Sequence, residues 1–230
     1  MRIQKVPALV RFWESDWSLS VLLFSLAVGV FVVYPASELG TRTWLIDVVS
    51  SLILISGAWT VSRRRLMTVV VTAVVVGGLV LHWTTYFTTA APLENAESIL
   101  IIIALLLMAG VVTRKVFQEG PITFYRIQGA VAVYLLLGVA WARAYALVEM
   151  LRPGAFQLGV ATGGHLGAKL TYYSFITLTS VGYGDIAAVH PYARSLSMME
   201  ALVGQLFPAI LIARLVAMQL AQSKRIKSGE

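Results

Sequence analysis

The residues from Lys169 to Asp185 read KLTYYSFITLTSVGYGD, and the last six suit the handling of a bare cation. To replace the water shell of such an ion, successive carbonyl oxygens must all point to one axis. The backbone then has to alternate between ordinary and left-handed dihedrals, and Gly182 and Gly184 supply positions where a positive φ costs little. Val181 and Tyr183 are expected to turn their side chains away from that axis, packing against the preceding helix and fixing the diameter of the ring. Ser180 stands one step earlier, with a carbonyl and a hydroxyl that can both act as ligands. Other chemistry finds no comparable constellation. Zero cysteines exclude disulfides, thiolate metal sites and thiol nucleophiles, while His82, His165 and His190 form no metal-ligand or triad pattern with the acids. Neither an enzyme nor a resident cofactor is expected.

The elements that position these residues follow from hydropathy. Of 230 residues, 58% are apolar and 13% charged, against roughly 45–50% and 25% in soluble domains. Blocks long enough to cross ~30 Å of hydrocarbon run from Trp17 to Tyr34, Trp44 to Val61, Leu66 to Phe87, Ser98 to Thr113, Gln128 to Leu151 and Arg194 to Gln222. The fourth is short and calls for extension by its flanks. The first is too long for a signal-peptide core and lacks a small-x-small cleavage site, so it is expected to be a permanent helix. Single spans must be helical, because every backbone amide in hydrocarbon has to be paired within its own segment. The expected fold class is therefore an all-α integral membrane protein with six transmembrane helices. Pro35, Gly40, Pro92, Gly120, Pro121, Pro153 and a glycine-rich run punctuate the breaks. Lys169 to Thr179, at 11 residues, is apolar enough to enter the membrane and too short to cross it. It must go in and come back out, and irregular backbone at that depth needs protein or a water-filled cavity around it.

Basic residues set the orientation. With the N-terminus inside, Arg2, Lys5, Arg11, Arg63, Arg64, Arg65, Arg114, Lys115, Arg126, Lys224, Arg225 and Lys227 fall on the cytoplasmic side, against Arg42, Lys169, Arg152 and Arg194 outside. A bias of 12 to 4 places both termini in the cytoplasm and accounts for the net charge of +7 without nucleic acid as a partner. Trp13, Trp17, Trp44, Trp59, Trp83 and Tyr86 fall near helix ends, as interfacial belt residues do.

Taken with its position behind a half-helix and between two spans, the SVGYGD sequence resembles the filter of the tetrameric potassium channels, a TVGYG segment followed by Asp. The resemblance covers roughly Gln128 to Gln222 and implies an outer helix, a pore helix at 169–179, a filter at 180–184 and an inner helix at 194–222. It implies potassium ions in transit at rings of carbonyls from Ser180, Val181, Gly182 and Tyr183, with the Ser180 hydroxyl as the innermost ring. Because one GYG occurs per chain, a closed four-fold filter requires a homotetramer. Serine where the family usually has threonine keeps the oxygen and loses a methyl, so the inner site is expected to be looser. The C-terminal end of the pore helix, near Thr177 to Thr179, favours a cation through the helix dipole. Asp185 ends the filter. A pore-helix glutamate that partners this acid in some relatives is Ile176 here, which leaves Tyr172 or Tyr173 as its donor, with Tyr172 favoured. Glu149 is expected to support the loop behind the filter.

In these channels the inner helix bends at a glycine, and Gly204, 22 residues after Gly182, matches that place. Pro208 removes the hydrogen bond to the carbonyl of residue 204, so both act on one turn. A hinge or fixed kink is expected at Gly204 to Pro208, the alternative being a glycine required for close packing. Helical spacing then puts Gln205, Pro208, Ile212 and Val216 toward the axis as cavity and gate residues. Arg143 and Glu200 lie at depths of about 12 Å and 9 Å and are expected to form an ion pair, unless each finds a separate partner. Asp47 and His82 are expected as interfacial or packed polar groups, and Arg214 as a snorkelling base.

Residues 17–116 form four helices in the place of a voltage sensor, but the fourth carries no base before Arg114, so classical voltage gating is not expected. A lipid-facing scaffold is the plainer role. A cytoplasmic N-terminus at 1–16, a linker at 117–127, a pore domain at 128–222 and a tail at 223–230 complete the expected organisation. Eight residues follow Gln222, so a gating ligand is expected to act on the membrane domain or through another protein. The reading is of a homotetrameric potassium channel in the cell membrane, with a bacterial plasma membrane expected and the lipid bilayer as its other partner. The alternatives are a weakly selective cation channel and a non-conducting membrane sensor or assembly subunit.

Overall fold

The computed structural model describes residues 17–38, 44–60, 65–88, 91–118, 124–159 and 165–228. Arg2, Lys5, Arg11, Arg42, Arg63 and Arg64, on which much of the orientation argument rests, and Trp13 lie outside the described residues. Helix α1 (Trp17–Val28) runs through a π-helical turn, Gly29–Val33, into α2 (Tyr34–Glu38), and the Tyr34 N–H closes the wide turn on the Gly29 carbonyl. Pro35 is the physical reason for that turn. It has no N–H, and its ring would press on the carbonyl four residues back in a regular helix; one widened turn takes it up. The proline therefore reshapes the first apolar helix and does not end it.

Helices α3 (Trp44–Thr60), α4 (Arg65–Phe87) and α5 (Ala91–Val116) follow. The short fourth block, Ser98 to Thr113, is extended by both flanks to 26 residues, with Glu94 in its first turn and Arg114 and Lys115 in its last, each favourable to the helix dipole. Helix α6 (Phe124–Leu151) starts four residues earlier than its apolar block, so Arg126, expected in a linker, stands on the first turn of α6. Beyond it come β1 (Phe156–Gln157), α7 (Leu166–Leu178), β2 (Ala187–Ala188) and α8 (Pro191–Ser228). Proline suits the first position of α8, where its missing N–H is not needed. Among the described residues five helices are long and apolar enough to cross a membrane, and α3 contributes a shorter apolar stretch, Leu45–Thr60.

Packing divides the molecule into two layers that share α6. On one side α5 lies along α6 and α4, while α1 packs on α3 and α6, burying Leu22, Leu26, Ile53, Val71, Leu105, Met108 and Leu136. On the other side α7 rests on α6 and is flanked by α8, around Tyr145, Phe156, Leu170, Tyr173 and Ile186. In lipid, helix association depends on close contact and not on water exclusion. Gly138 provides that contact: a Cβ there would stand 2.6 Å from the Phe175 ring, and the Gly138 carbonyl accepts the Ser174 hydroxyl at 2.7 Å.

Asp47 and His82 are packed together. The His82 ring places Nδ1 2.6 Å from Glu97 and Nε2 3.3 Å from Asp47, tying α4 to α5 and α3, and Thr85 donates to the other Glu97 oxygen at 2.6 Å. A cavity of about 270 Å³ beside this cluster is lined by Asp47, His82 and Arg143 from one side and by His165 and Thr171 of the pore-helix region from the other.

Candidate functional site

Helix α7 enters between α6 and α8 with Ala168, Leu170, Thr171, Tyr173, Ser174, Ile176 and Leu178 buried, spans 13 residues and turns back. It starts three residues before and ends one residue before the expected 169–179. The turn at its end is built from backbone. The Ser180 N–H donates to the Thr177 carbonyl at 2.9 Å and the Val181 N–H to the Ile176 carbonyl at 2.9 Å. This pair of bonds is the Schellman helix stop, which needs a left-handed residue between its two ends. That residue is Ser180, with φ of 59°. Gly182 and Gly184 follow at 54° and 81°, so left-handed residues recur at every second position from 180 to 184. The glycines carry the alternation expected of them; the part of Ser180 was hidden, because serine at that φ is unusual and only the helix stop explains it.

The Val181 and Tyr183 side chains, expected against the preceding helix, are 51% and 73% exposed in the single chain, and Tyr183 acts electrostatically on Tyr172 of α7. Thr179 turns its hydroxyl back to the Phe175 carbonyl at 2.7 Å, which leaves Ser180 as the hydroxyl at the start of the turn. Asp185 faces Tyr172 of α7 and acts electrostatically on its hydroxyl. Tyr173 instead meets the Ser197 hydroxyl at 2.8 Å, on α8.

Behind the turn, Glu149 closes the end of α6. Its two oxygens accept the Gly154 and Phe156 N–H groups at 2.8 and 3.0 Å, and the chain past Phe156 pairs with the strand that follows the filter, Phe156 opposite Ala188 and Gln157 opposite Ala187. The strand after the glycines is thereby tied, through residues 154–157, to the end of α6.

The ion pair between Arg143 and Glu200 does not form. Glu200 is fully buried, accepting hydroxyls from Tyr145 on α6 and Ser174 on α7. Arg143 is two residues from Tyr145, and such residues point to nearly opposite sides of a helix. With Tyr145 aimed at α8, Arg143 faces away, toward the cavity beside His82, where it acts electrostatically on Glu97. Depth alone could not separate these outcomes; the polar Tyr145 and Ser174 inside apolar segments were the available signal.

Helix α8 continues through Gly204 and Pro208 as one helix. Gly204 is buried, and a Cβ there would collide with the backbone carbonyl of Leu178, the last residue of α7. The same carbonyl accepts the Tyr134 hydroxyl at 3.1 Å. Close packing is therefore a visible function of Gly204. One residue on, Gln205 Nε2 donates to Ser180 Oγ at 2.7 Å, a contact between the SVGYGD turn and α8 that sequence spacing did not reveal. Gln205, Ile212 and Val216 are exposed on α8 and Pro208 is half-buried. Near the other end of the helix, Arg126 Nη1 lies 3.6 Å from Met218 Sδ.

The chain has no match among curated proteins. Residues 161–220, which hold α7, the SVGYGD turn and α8 as far as Leu220, match the family model described as an ion channel. With five helices able to cross a membrane, that match indicates a multi-pass membrane protein that carries an ion-channel segment.

Proposed function

We propose that this protein is the subunit of a potassium-selective channel, in which four copies surround one axis and potassium moves passively down its electrochemical gradient. The observation that carries the reading is the recurrence of left-handed residues at 180, 182 and 184 directly after a buried half-helix. Alternation of this kind aims successive carbonyls in one direction, as a filter needs. The exposed Val181 and Tyr183 side chains support four-fold assembly, since neighbouring copies supply the cover their own chain lacks. Potassium is the transported ion, so no resident cofactor or nucleic acid enters the account. The chain sits in a cell membrane, bacterial in the reading of its sequence, with both termini cytoplasmic. Ser180 favours a second reading, a weakly selective cation channel, because it lacks the methyl that stiffens threonine.

Purified protein in liposomes tests the proposal. Potassium flux that exceeds sodium flux and is blocked by barium supports it. Equal fluxes of the two ions favour the second reading, and no flux from a verified tetramer would leave a sensor or assembly role.

A further inference from the structure

The innermost ring of the filter has an unusual support, and its chemistry extends the channel reading on which it rests. Serine has three staggered positions for its hydroxyl and no branch to choose among them. Ser180 is exposed, held left-handed by a helix stop, and makes its side-chain contact with a residue 25 positions away, Gln205. Two features fix Gln205 within reach. Gly204 brings the backbone of α8 against the Leu178 carbonyl, closer than any side chain at 204 would allow. The adjoining Gln205 side chain then passes the end of α7 and places Nε2 2.7 Å from Ser180 Oγ. The nearby Thr179 hydroxyl is engaged with the Phe175 carbonyl and does not compete.

We propose that Gln205 is a specificity-determining residue of the pore, doing for Ser180 what a threonine methyl would do from within the filter. The amide N–H occupies one lone pair of the hydroxyl and pins its position, leaving the other lone pair for a dehydrated monovalent cation. The carboxamide oxygen remains free to face the cavity. In a four-fold assembly the inner helices thus contribute a second ring of oxygens below the Ser180 ring, suited to a partly hydrated cation about to enter the filter. The inner site is then set by two elements, the filter and α8, and any movement of α8 at Gly204 to Pro208 reaches the ion through one hydrogen bond.

The test compares potassium-to-sodium flux ratio and barium block in liposomes holding the full chain, with assembly of each variant checked by mass. Gln205→Leu removes the bond and leaves an apolar side chain one atom shorter. It is expected to weaken barium block and lower the flux ratio by roughly fivefold, the equilibrium worth of one hydrogen bond. In a Ser180→Thr background, where the branched side chain orders its own hydroxyl, the same substitution is expected to change either quantity by less than about twofold. Gln205→Glu places a carboxylate in the ring and is expected to strengthen barium block by about tenfold. An unchanged Gln205→Leu channel overturns the proposal, as does a loss of equal size in both backgrounds, which would make Gln205 an ordinary cavity residue. If Gln205→Leu fails to assemble, the sign of the Gln205→Glu effect decides, since weaker barium block would place the carboxamide away from the ions. An unmodified channel that does not prefer potassium overturns the filter reading itself, and this inference with it.

Discussion

Glu200 shows how a single side chain can tie a membrane protein together. A carboxylate with no exposed surface is costly at membrane depth unless each oxygen has a donor, and here Tyr145 and Ser174 supply one each from two other helices. Glu200→Ala takes its partner from the buried Tyr145 hydroxyl, while Ser174 keeps the Gly138 carbonyl, and is expected to destabilise the folded protein by about 2 kcal/mol, read as a lowered midpoint of thermal unfolding in detergent. Arg143→Ala is expected to combine additively with Glu200→Ala in a double-mutant cycle, because the two residues share no partner. A coupling above about 1 kcal/mol would restore the ion pair expected from depth alone. The pair was misread because sequence gives the depth of a residue in a span but fixes its azimuth only relative to its neighbours.

At the level of elements, the sequence marked the apolar helices and left their contacts mostly hidden. Hydropathy placed an apolar block on each long helix, five of them long and apolar enough to cross a membrane among the described residues, because lipid imposes a length on a helix that crosses it, but it cut the fourth block short by seven residues at its start, where polar Glu94 and Glu97 stand. It could not show that Pro35 would be absorbed by a π turn, or that Gly138 and Gly204 are points where α7 meets α6 and α8 closely. Gly138→Ala sets a methyl 2.6 Å from the Phe175 ring, and the expected result is a weakened α6–α7 contact and reduced yield of assembled protein, relieved by the added change Phe175→Leu. Gly204→Ala meets a backbone carbonyl, which cannot swing aside, so it is expected to displace α8 from α7 and abolish flux whether or not α8 bends there. Pro208→Ala separates the two roles. It returns an N–H to the Gly204 carbonyl without entering that contact, and in single-channel recordings a hinge predicts a lower open probability from an otherwise normal pore. An open probability equal to that of the unmodified channel would reduce Gly204 to its packing role.

At the level of the whole molecule, the helices before α6 carry the cluster of Asp47, His82 and Glu97, with Arg143 reaching toward it from α6, and the sequence places no base in the Ser98 to Thr113 block. Current through the channel is accordingly expected to show little steepening with voltage. The filter turn, with its exposed Tyr183 and Val181, calls for neighbouring copies, and the assembled particle is expected at about four times the 25.0 kDa of one chain. The sequence argues for four copies only by counting, from one GYG per chain. Selectivity is the claim on which the rest depends. Its most direct measurement is the reversal potential of purified channels in a planar bilayer with potassium on one side and sodium on the other. A reversal potential far from zero, in the direction of potassium selectivity, is the predicted result. A value near zero, with current flowing, would contradict the account.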